Sequence, residues 1–233
     1  MLTPYHRFHN CYSLRSEIGR LQELGRVAPD IFVKHQMYNY SLFQKLLSAC
    51  RNTDLLRTTL TTEVAGGGEV NTGLLLSHAN MYIDCFFYFG GSALDILARE
   101  ILVYFGIPLP HNVYFQTARE EIQAIRAGDP IIPKLQDPPW KQEFSNYRNS
   151  STHELLLADI INIRHKHIGN DVKKEIILPL PDDPRVPQPD RTYERNKDVI
   201  VYCEKQIKRI ISLVNQIYGE ITNRIHINNG VPV

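Results

Sequence analysis

One run of apolar residues near the C-terminal end of the chain keeps helical spacing without interruption. Its members are separated by three or four positions: Ile200, Cys203, Ile207, Ile210, Val214, Ile217, Ile221 and Ile225. This period predicts one long α-helix that begins at Asp190 or Thr192 and ends near Ile225. Because such a stripe has to be covered along its whole length, the chain is constrained to fold as a helical bundle.

Similar patterns predict further helices over residues 13–24, 29–52, 72–104, 114–127, 138–148 and 154–167, while residues 55–64 fit either a strand or a frayed helix. Asn71 or Thr72 stands where a helix N-cap is expected, and Gly25 and Gly128 stand where helix-ending glycines are expected. Two connections, 130–139 and 179–189, are rich in proline and should be extended. We therefore expect an all-α bundle of four to five main helices with proline-rich connections, and one short β element near residues 175–180.

The length of 233 residues favours one domain, 1–233, in which residues 1–28 form a peripheral extension and residues 29–226 the bundle. The formal net charge of +1 excludes a strongly basic nucleic-acid scaffold. The four cysteines lie far apart and form no CxxC pair, so neither a zinc site nor a disulfide framework is expected. The most apolar segment, 74–105, carries too many polar groups for a membrane span, and without a secretory signal we expect a cytoplasmic protein.

The segment from Tyr147 to Glu154 concentrates polar and charged residues. Arg148 and His153 would point about 140° apart on one uninterrupted helix. Ser151 and Glu154, however, have the spacing of a capping box, which predicts a break between Asn149 and Ser151. His153 would then lie in the first turn of a new helix, where free N–H groups attract anions, and Arg148 would end the previous helix. This arrangement predicts a phosphate site.

An arginine followed by a polar residue and, after four intervening positions, a histidine on a helical scaffold resembles the HEPN superfamily. The residues that match are Arg148, Asn149 and His153. The resemblance implies a metal-independent endoribonuclease without a cofactor, acting as a homodimer that brings two motifs together. It also implies a setting in phage defence or in a toxin–antitoxin pair, with an antitoxin or regulatory protein as a further partner.

The same resemblance implies a role for each residue of the motif. His153 is expected to be the acid/base at the RNA 2′-hydroxyl or the leaving oxygen, and Arg148 is expected to stabilise charge on the phosphate. Asn149 is expected to orient one of these groups. The expected product carries a 2′,3′-cyclic phosphate.

The densest basic stretch of the chain follows the motif, and we expect four of its residues to bind RNA phosphates: Arg164, Lys166, Lys173 and Lys174. An equally simple interpretation is a solvated helix end. His165 and His167 would lie on different faces of a helix, so we expect no metal site there. Asp84 and Asp95, about 16 Å apart along one helix, are not expected to act together.

A second hypothesis is a non-catalytic helical module that binds RNA or a protein partner through its long C-terminal helix and proline-rich loops. It predicts no RNA cleavage, and binding that survives His153→Ala.

Overall fold

The computed structural model describes residues 9–65, 71–136, 138–153, 156–168 and 171–227. This part of the chain is mostly helical, as the periodicity predicts. Its α-helices, numbered in chain order, are α1 (His9–Glu23), α2 (Pro29–Ala65), α3 (Thr72–Tyr104), α4 (Phe115–Ile125), α5 (Pro139–His153) and α6 (Val199–Ile227). Residues 55–64, which the sequence left open, continue α2 as a helix.

Two helix signals in the sequence are confirmed in atomic detail. The Asn71 side chain accepts a hydrogen bond from the Leu74 amide at 3.1 Å, so it is the N-cap of α3. Gly25 and Gly128 follow α1 and α4 with φ values of 68° and 86°, a region of backbone conformation that disfavours residues with a Cβ atom. These local signals explain why the start of α3 and the ends of α1 and α4 could be predicted.

Contacts divide the chain into two compact units. Unit 1 comprises Met1–Leu47, Gly90–Pro138 and Lys208–Val233, and unit 2 comprises Ser48–Phe89 and Pro139–Ile207. The core of unit 1 is mainly aliphatic and includes Leu14, Leu21, Leu46, Ile101, Leu102, Ile122, Ile217 and Ile221. It also holds a buried polar group: Nδ1 of His35 lies 3.4 Å from one carboxylate oxygen of Glu100, and the Tyr218 hydroxyl donates to the other.

The core of unit 2 contains a cluster of aromatic rings. Phe87 stacks on Tyr147 with their ring centroids 5.8 Å apart, and it also contacts Phe144 at 5.3 Å. The Tyr147 ring meets Tyr202 edge-on at 5.0 Å. Phe86 completes the cluster against Phe144. Because Tyr147 on α5 is buried in this aromatic cluster, large apolar contacts determine which side of α5 faces the core of unit 2.

The helix predicted over residues 154–167 is wrong. Strand β1 (Asn162–Ile168) pairs with strand β2 (Asp171–Ile177) as an antiparallel hairpin, in a register that joins Ile168 to Asp171. Isoleucines at 160, 161 and 163 suit a helical stripe and a strand equally, and their β-branched side chains favour the strand. Gly169 and Asn170 lie outside the described residues.

A second small sheet precedes α6 and corrects its predicted start. Strand β3 (Pro179–Leu180) pairs with strand β4 (Lys197–Asp198), and α6 begins at Val199 rather than at Asp190 or Thr192. Asp198 is the N-cap, since its carboxylate accepts the Val201 amide at 3.0 Å. Of the two predicted starts, Asp190 lies in a short 3-10 helix, Gln188–Asp190. The Thr192 hydroxyl donates to Asp182, which also accepts hydrogen bonds from the amides of residues 194 and 195 and so organises a loop.

Among the helices of the described ranges, the apolar α3 included, none combines the length and the hydropathy that a membrane span requires.

Candidate functional site at the end of α5

The predicted helix break between Asn149 and Ser151 is wrong, because α5 continues to His153. The side chains of two serines near the predicted break make tertiary hydrogen bonds. The Ser151 hydroxyl donates to the Asp84 carboxylate on α3, and the Ser150 hydroxyl donates to the Pro184 carbonyl at 2.8 Å. Because Ser151 lies inside α5, it is not the N-cap of a new helix. Glu154, its expected partner, lies outside the described residues.

The continuity of α5 changes the geometry of the motif. Arg148 and His153 are five positions apart on one helix, so their Cα atoms are separated by about 500° of rotation and about 7.5 Å along the axis. Their Cα positions are therefore about 140° apart in projection around the helix axis. His153 is the last residue of α5, where the carbonyl end of the helix dipole attracts cations rather than anions. The phosphate site at a helix N-terminus is therefore not formed.

The motif residues differ in exposure. Arg148 is half-buried, and Asn149 is exposed on the outer side of α5. For His153 the backbone is described, and the side chain lies outside the described residues. The polar end of α5 thus presents at least one motif residue to solvent.

Asp84 belongs to this site, although the spacing of the aspartates gave no reason to expect it. Burial raises the pKa of the Asp84 carboxyl, and the hydrogen bond from Ser151 opposes that rise. A carboxyl with a raised pKa beside a cluster of polar residues is typical of functional sites, although ion-pair networks also perturb pKa values. Asp95, by contrast, is not part of unit 2.

Several polar contacts hold α5 and the segment after it. The Tyr147 hydroxyl donates to the Pro181 carbonyl and accepts from Nζ of Lys197 at 3.1 Å. Asn80 on α3 makes two hydrogen bonds to the backbone of Ala158, at 2.7 and 2.9 Å. These bonds tie the chain on both sides of His153 to fixed elements of unit 2.

Arg191 is the other anchor of the segment that follows the motif. Its guanidinium side chain is fully buried, donates to the Leu156 carbonyl at 2.7 Å, and contacts the Asp159 carboxylate at 3.3 Å. Tyr193 donates to the same carboxylate. Neither Asn80 nor Arg191 stood out in the sequence; an asparagine in the middle of an apolar helical stripe was the available signal.

The four residues expected to bind RNA all fall on the hairpin, but the strand register does not place all four on one face. The register pairs Arg164 with Glu175 and Lys174 with His165, so Arg164 and Lys174 leave opposite faces. Lys166 pairs with Lys173, and for these two only the backbone is described.

No group of three or more His, Cys, Asp or Glu side chains that could hold a metal ion is found within the described ranges. Comparison of the chain with protein-family models, with curated proteins and with solved structures found no match.

Proposed function

We propose that this chain is a metal-independent endoribonuclease of the HEPN type, whose site lies at the end of α5. The observation that carries the proposal is the placement of the whole motif on the last two turns of α5, with Asn149 exposed and Arg148 half-buried beside it. Arg148 would neutralise charge on the phosphate, Asn149 would orient it, and His153 would transfer the proton. The 2′-hydroxyl attacks phosphorus, the 5′-oxygen leaves, and a 2′,3′-cyclic phosphate remains.

The rotation of about 140° between Arg148 and His153 means that one α5 does not present both to one phosphate by helix geometry alone. The proposed nuclease therefore uses two copies of the chain, with Arg148 from one copy and His153 from the other at each site. A homodimer of this kind agrees with the family that the motif resembles. An antitoxin or other restraining protein in a defence setting belongs to the same proposal.

A stripe on α3 supports a contact between copies near the motif. Leu74, Met81 and Tyr88 follow one another at seven-residue spacing, and each is about half exposed. Asp84, which bonds to Ser151, lies between the second and third of them on the same side of the helix. Exposed apolar residues at this spacing are typical of helix–helix interfaces.

The divergence of Arg148 and His153 also favours a second candidate, a non-catalytic module that binds RNA or a protein partner. Incubation of labelled RNA with wild type, Arg148→Ala and His153→Ala in EDTA, followed by end-group analysis, separates the two. The nuclease predicts cyclic phosphate ends from the wild type and neither variant active. Cleavage that survives both substitutions, or that needs added metal, would contradict it.

A further inference from the structure

We propose that the outer edge of strand β2 is an interface for a second copy of this chain, so that two β1–β2 hairpins form one four-stranded antiparallel sheet across a two-fold axis. Two features of the hairpin carry this interface, its open edges and the order of charges along β2. A homodimer also belongs to the proposed function, but the β2 interface needs no nuclease activity.

The hairpin has edges that are not paired with a further strand. Within the described ranges its sheet consists of β1 and β2 alone, and no backbone hydrogen bond links either strand to a residue outside the hairpin. The residues in the middle of the hairpin are exposed, whereas Ile176 near its base is buried: Arg164, His165, Lys174 and Glu175 are the exposed ones. A lone two-stranded hairpin is at best marginally stable in water, and its free N–H and C=O groups are a template for another strand.

The charges of β1 oppose pairing between two copies through its own outer edge. Identical antiparallel strands meet around a two-fold axis, and pairing along the whole of β1 places that axis at His165, the middle residue of the strand. Arg164 of each copy then lies opposite Lys166 of the other. Because like charges directly opposite one another destabilise a sheet, the edge of β1 does not suit a second copy.

The charges of β2 favour the same kind of pairing. The middle residue of β2 is Lys174, and an axis there places Lys173 of each copy opposite Glu175 of the other. The one like-charged pair is Lys174 with its counterpart, and this residue is exposed, so the two ammonium groups can diverge into solvent. An axis moved to Lys173 would instead place Asp171 opposite Glu175. The full-length register is therefore the one that matches charges of opposite sign.

A second copy also compensates charges that the single hairpin leaves crowded. Within one chain the register joins Lys166 to Lys173, a like-charged pair. Burial is the main cause of the raised pKa of Asp198, and the negative charge of Glu175 adds to it. Pairing through β2 brings Glu175 of one copy beside the lysine pair of the other, so it offsets repulsion between cations and between carboxylates.

The test measures the monomer–dimer equilibrium of the full chain by sedimentation equilibrium. Lys173→Glu makes both pairs that flank the axis acidic, and Glu175→Lys makes both basic, so each variant alone should dimerise at least about fivefold more weakly than the wild type. In an equimolar mixture the acidic edge of one variant meets the basic edge of the other. The mixture should therefore dimerise within about threefold of the wild type.

A control variant and a cross-link separate the β2 edge from other contacts. Lys166→Glu makes the same charge change on β1 and should keep the dimer affinity within about threefold of the wild type. Lys174→Cys places two thiols on the axis, where Cβ atoms about 4.5–5.5 Å apart are close to disulfide spacing, so oxidation should link two copies. His165→Cys, on the axis of the competing β1 pairing, should not link. Wild type oxidised in parallel corrects for the four native cysteines.

Several results would overturn the β2 interface. They are a wild type that stays monomeric, a mixture of the two charge variants no more dimeric than either alone, and a loss of affinity from Lys166→Glu as large as that from Glu175→Lys. Cross-linking of His165→Cys but not of Lys174→Cys would overturn it without any charge variant.

Failure of the interface is distinguishable from failure of the proposed function. A chain that dimerises through β2 but yields no cyclic phosphate keeps the interface and loses the nuclease. A chain that cleaves RNA as a dimer, but whose dimer is unchanged by Lys173→Glu and Glu175→Lys, keeps the nuclease and loses the interface.

Discussion

The two units of the molecule use similar residue types in opposite ways. In unit 1 a histidine, a glutamate and a tyrosine meet in the interior, where His35 is 3% exposed and Glu100 1% exposed. In unit 2 the histidine, arginine and asparagine of the motif lie at the end of α5, and Asn149 is open to solvent. Asn149 is accessible from solvent, whereas His35 and Glu100 are not. Acid/base residue types therefore indicate chemistry only when the fold leaves them accessible.

The largest effect expected from this difference between the two units is on the rate of RNA cleavage by the proposed nuclease. His153→Ala should lower the cleavage rate by about 10²–10⁴-fold, the usual contribution of a general acid or base. His35→Ala should lower stability but leave the rate per folded molecule unchanged. Initial rates on labelled RNA, normalised to the folded fraction from circular dichroism, measure both. Equal losses of cleavage rate from His153→Ala and His35→Ala would contradict the prediction that only His153 takes part in cleavage.

Stability should respond most to the buried group of unit 1. Glu100→Ala leaves the His35 ring and the Tyr218 hydroxyl without their acceptor, at about 1–3 kcal/mol for each buried group left unpaired. Urea unfolding monitored by circular dichroism measures the loss. Glu121→Ala on the exposed side of α4 is the control and should stay within about 0.5 kcal/mol of the wild type. A loss no larger than that of the control would contradict a structural role for Glu100.

A smaller effect is expected where Asn80 holds the segment that follows α5. Asn80→Ala removes both hydrogen bonds to Ala158 and should cost about 1–3 kcal/mol, with faster hydrogen exchange at the Ala158 amide. Asn52→Ala, which removes one helix-internal bond to Ser48 in the same unit, is the matched control. If the Ala158 amide stays protected in Asn80→Ala, the segment is held by other contacts.

The pH dependence of stability should be opposite for two aspartates. Burial raises the pKa of Asp129, but hydrogen bonds from Arg224 and the Ile131 amide outweigh it and the pKa is lowered. The stability that Asp129 contributes is thus present above its unfolded pKa of about 4 and lost as the pH falls through the lower folded value. The pKa of Asp84 is raised, so its contribution is present in acid and lost as the pH rises through the folded value.

Substitution of each aspartate by asparagine shows whether its ionised carboxylate stabilises or destabilises the folded protein. Asp129→Asn should lower the free energy of unfolding at neutral pH and flatten its decline in acid. Asp84→Asn, which keeps an acceptor for Ser151, should leave that free energy unchanged or raise it. Urea unfolding at a series of pH values measures both, and a loss at neutral pH from Asp84→Asn as large as that from Asp129→Asn would contradict the assignment.

Much of the fold could be predicted because the signals were local. The apolar stripe of α6 and the Asn71 cap of α3 each depend on a few neighbouring residues. The β1–β2 hairpin was not predicted because Ile160, Ile161 and Ile163 fit the spacing of a helix as well as that of a strand. The dipeptide Gly169-Asn170 between β-branched runs is nevertheless a known signal for a two-residue hairpin turn. The start of α6 was missed because Asp190, one of the two predicted starts, lies in a short 3-10 helix (Gln188–Asp190), while the N-cap of α6 is Asp198, eight positions later.

The candidate site could be located from the sequence, but its geometry could not. Residue types alone drew attention to Arg148, Asn149 and His153. Their mutual direction depends on whether α5 ends before or after Ser151. The helix continues through Ser151, whose hydroxyl bonds to Asp84, a residue 67 positions away in the chain. A capping box is inferred from local spacing, which does not contain such a tertiary contact.

Complementation between two inactive variants tests most directly whether two copies of the α5 end form a nuclease site. Arg148→Ala and His153→Ala are coexpressed, and the mixture is assayed for RNA cleavage in EDTA. If each site takes its arginine and its histidine from different copies, mixed dimers regain one intact site, and random pairing restores about a quarter of wild-type activity. A mixture no more active than either variant alone would contradict the shared site.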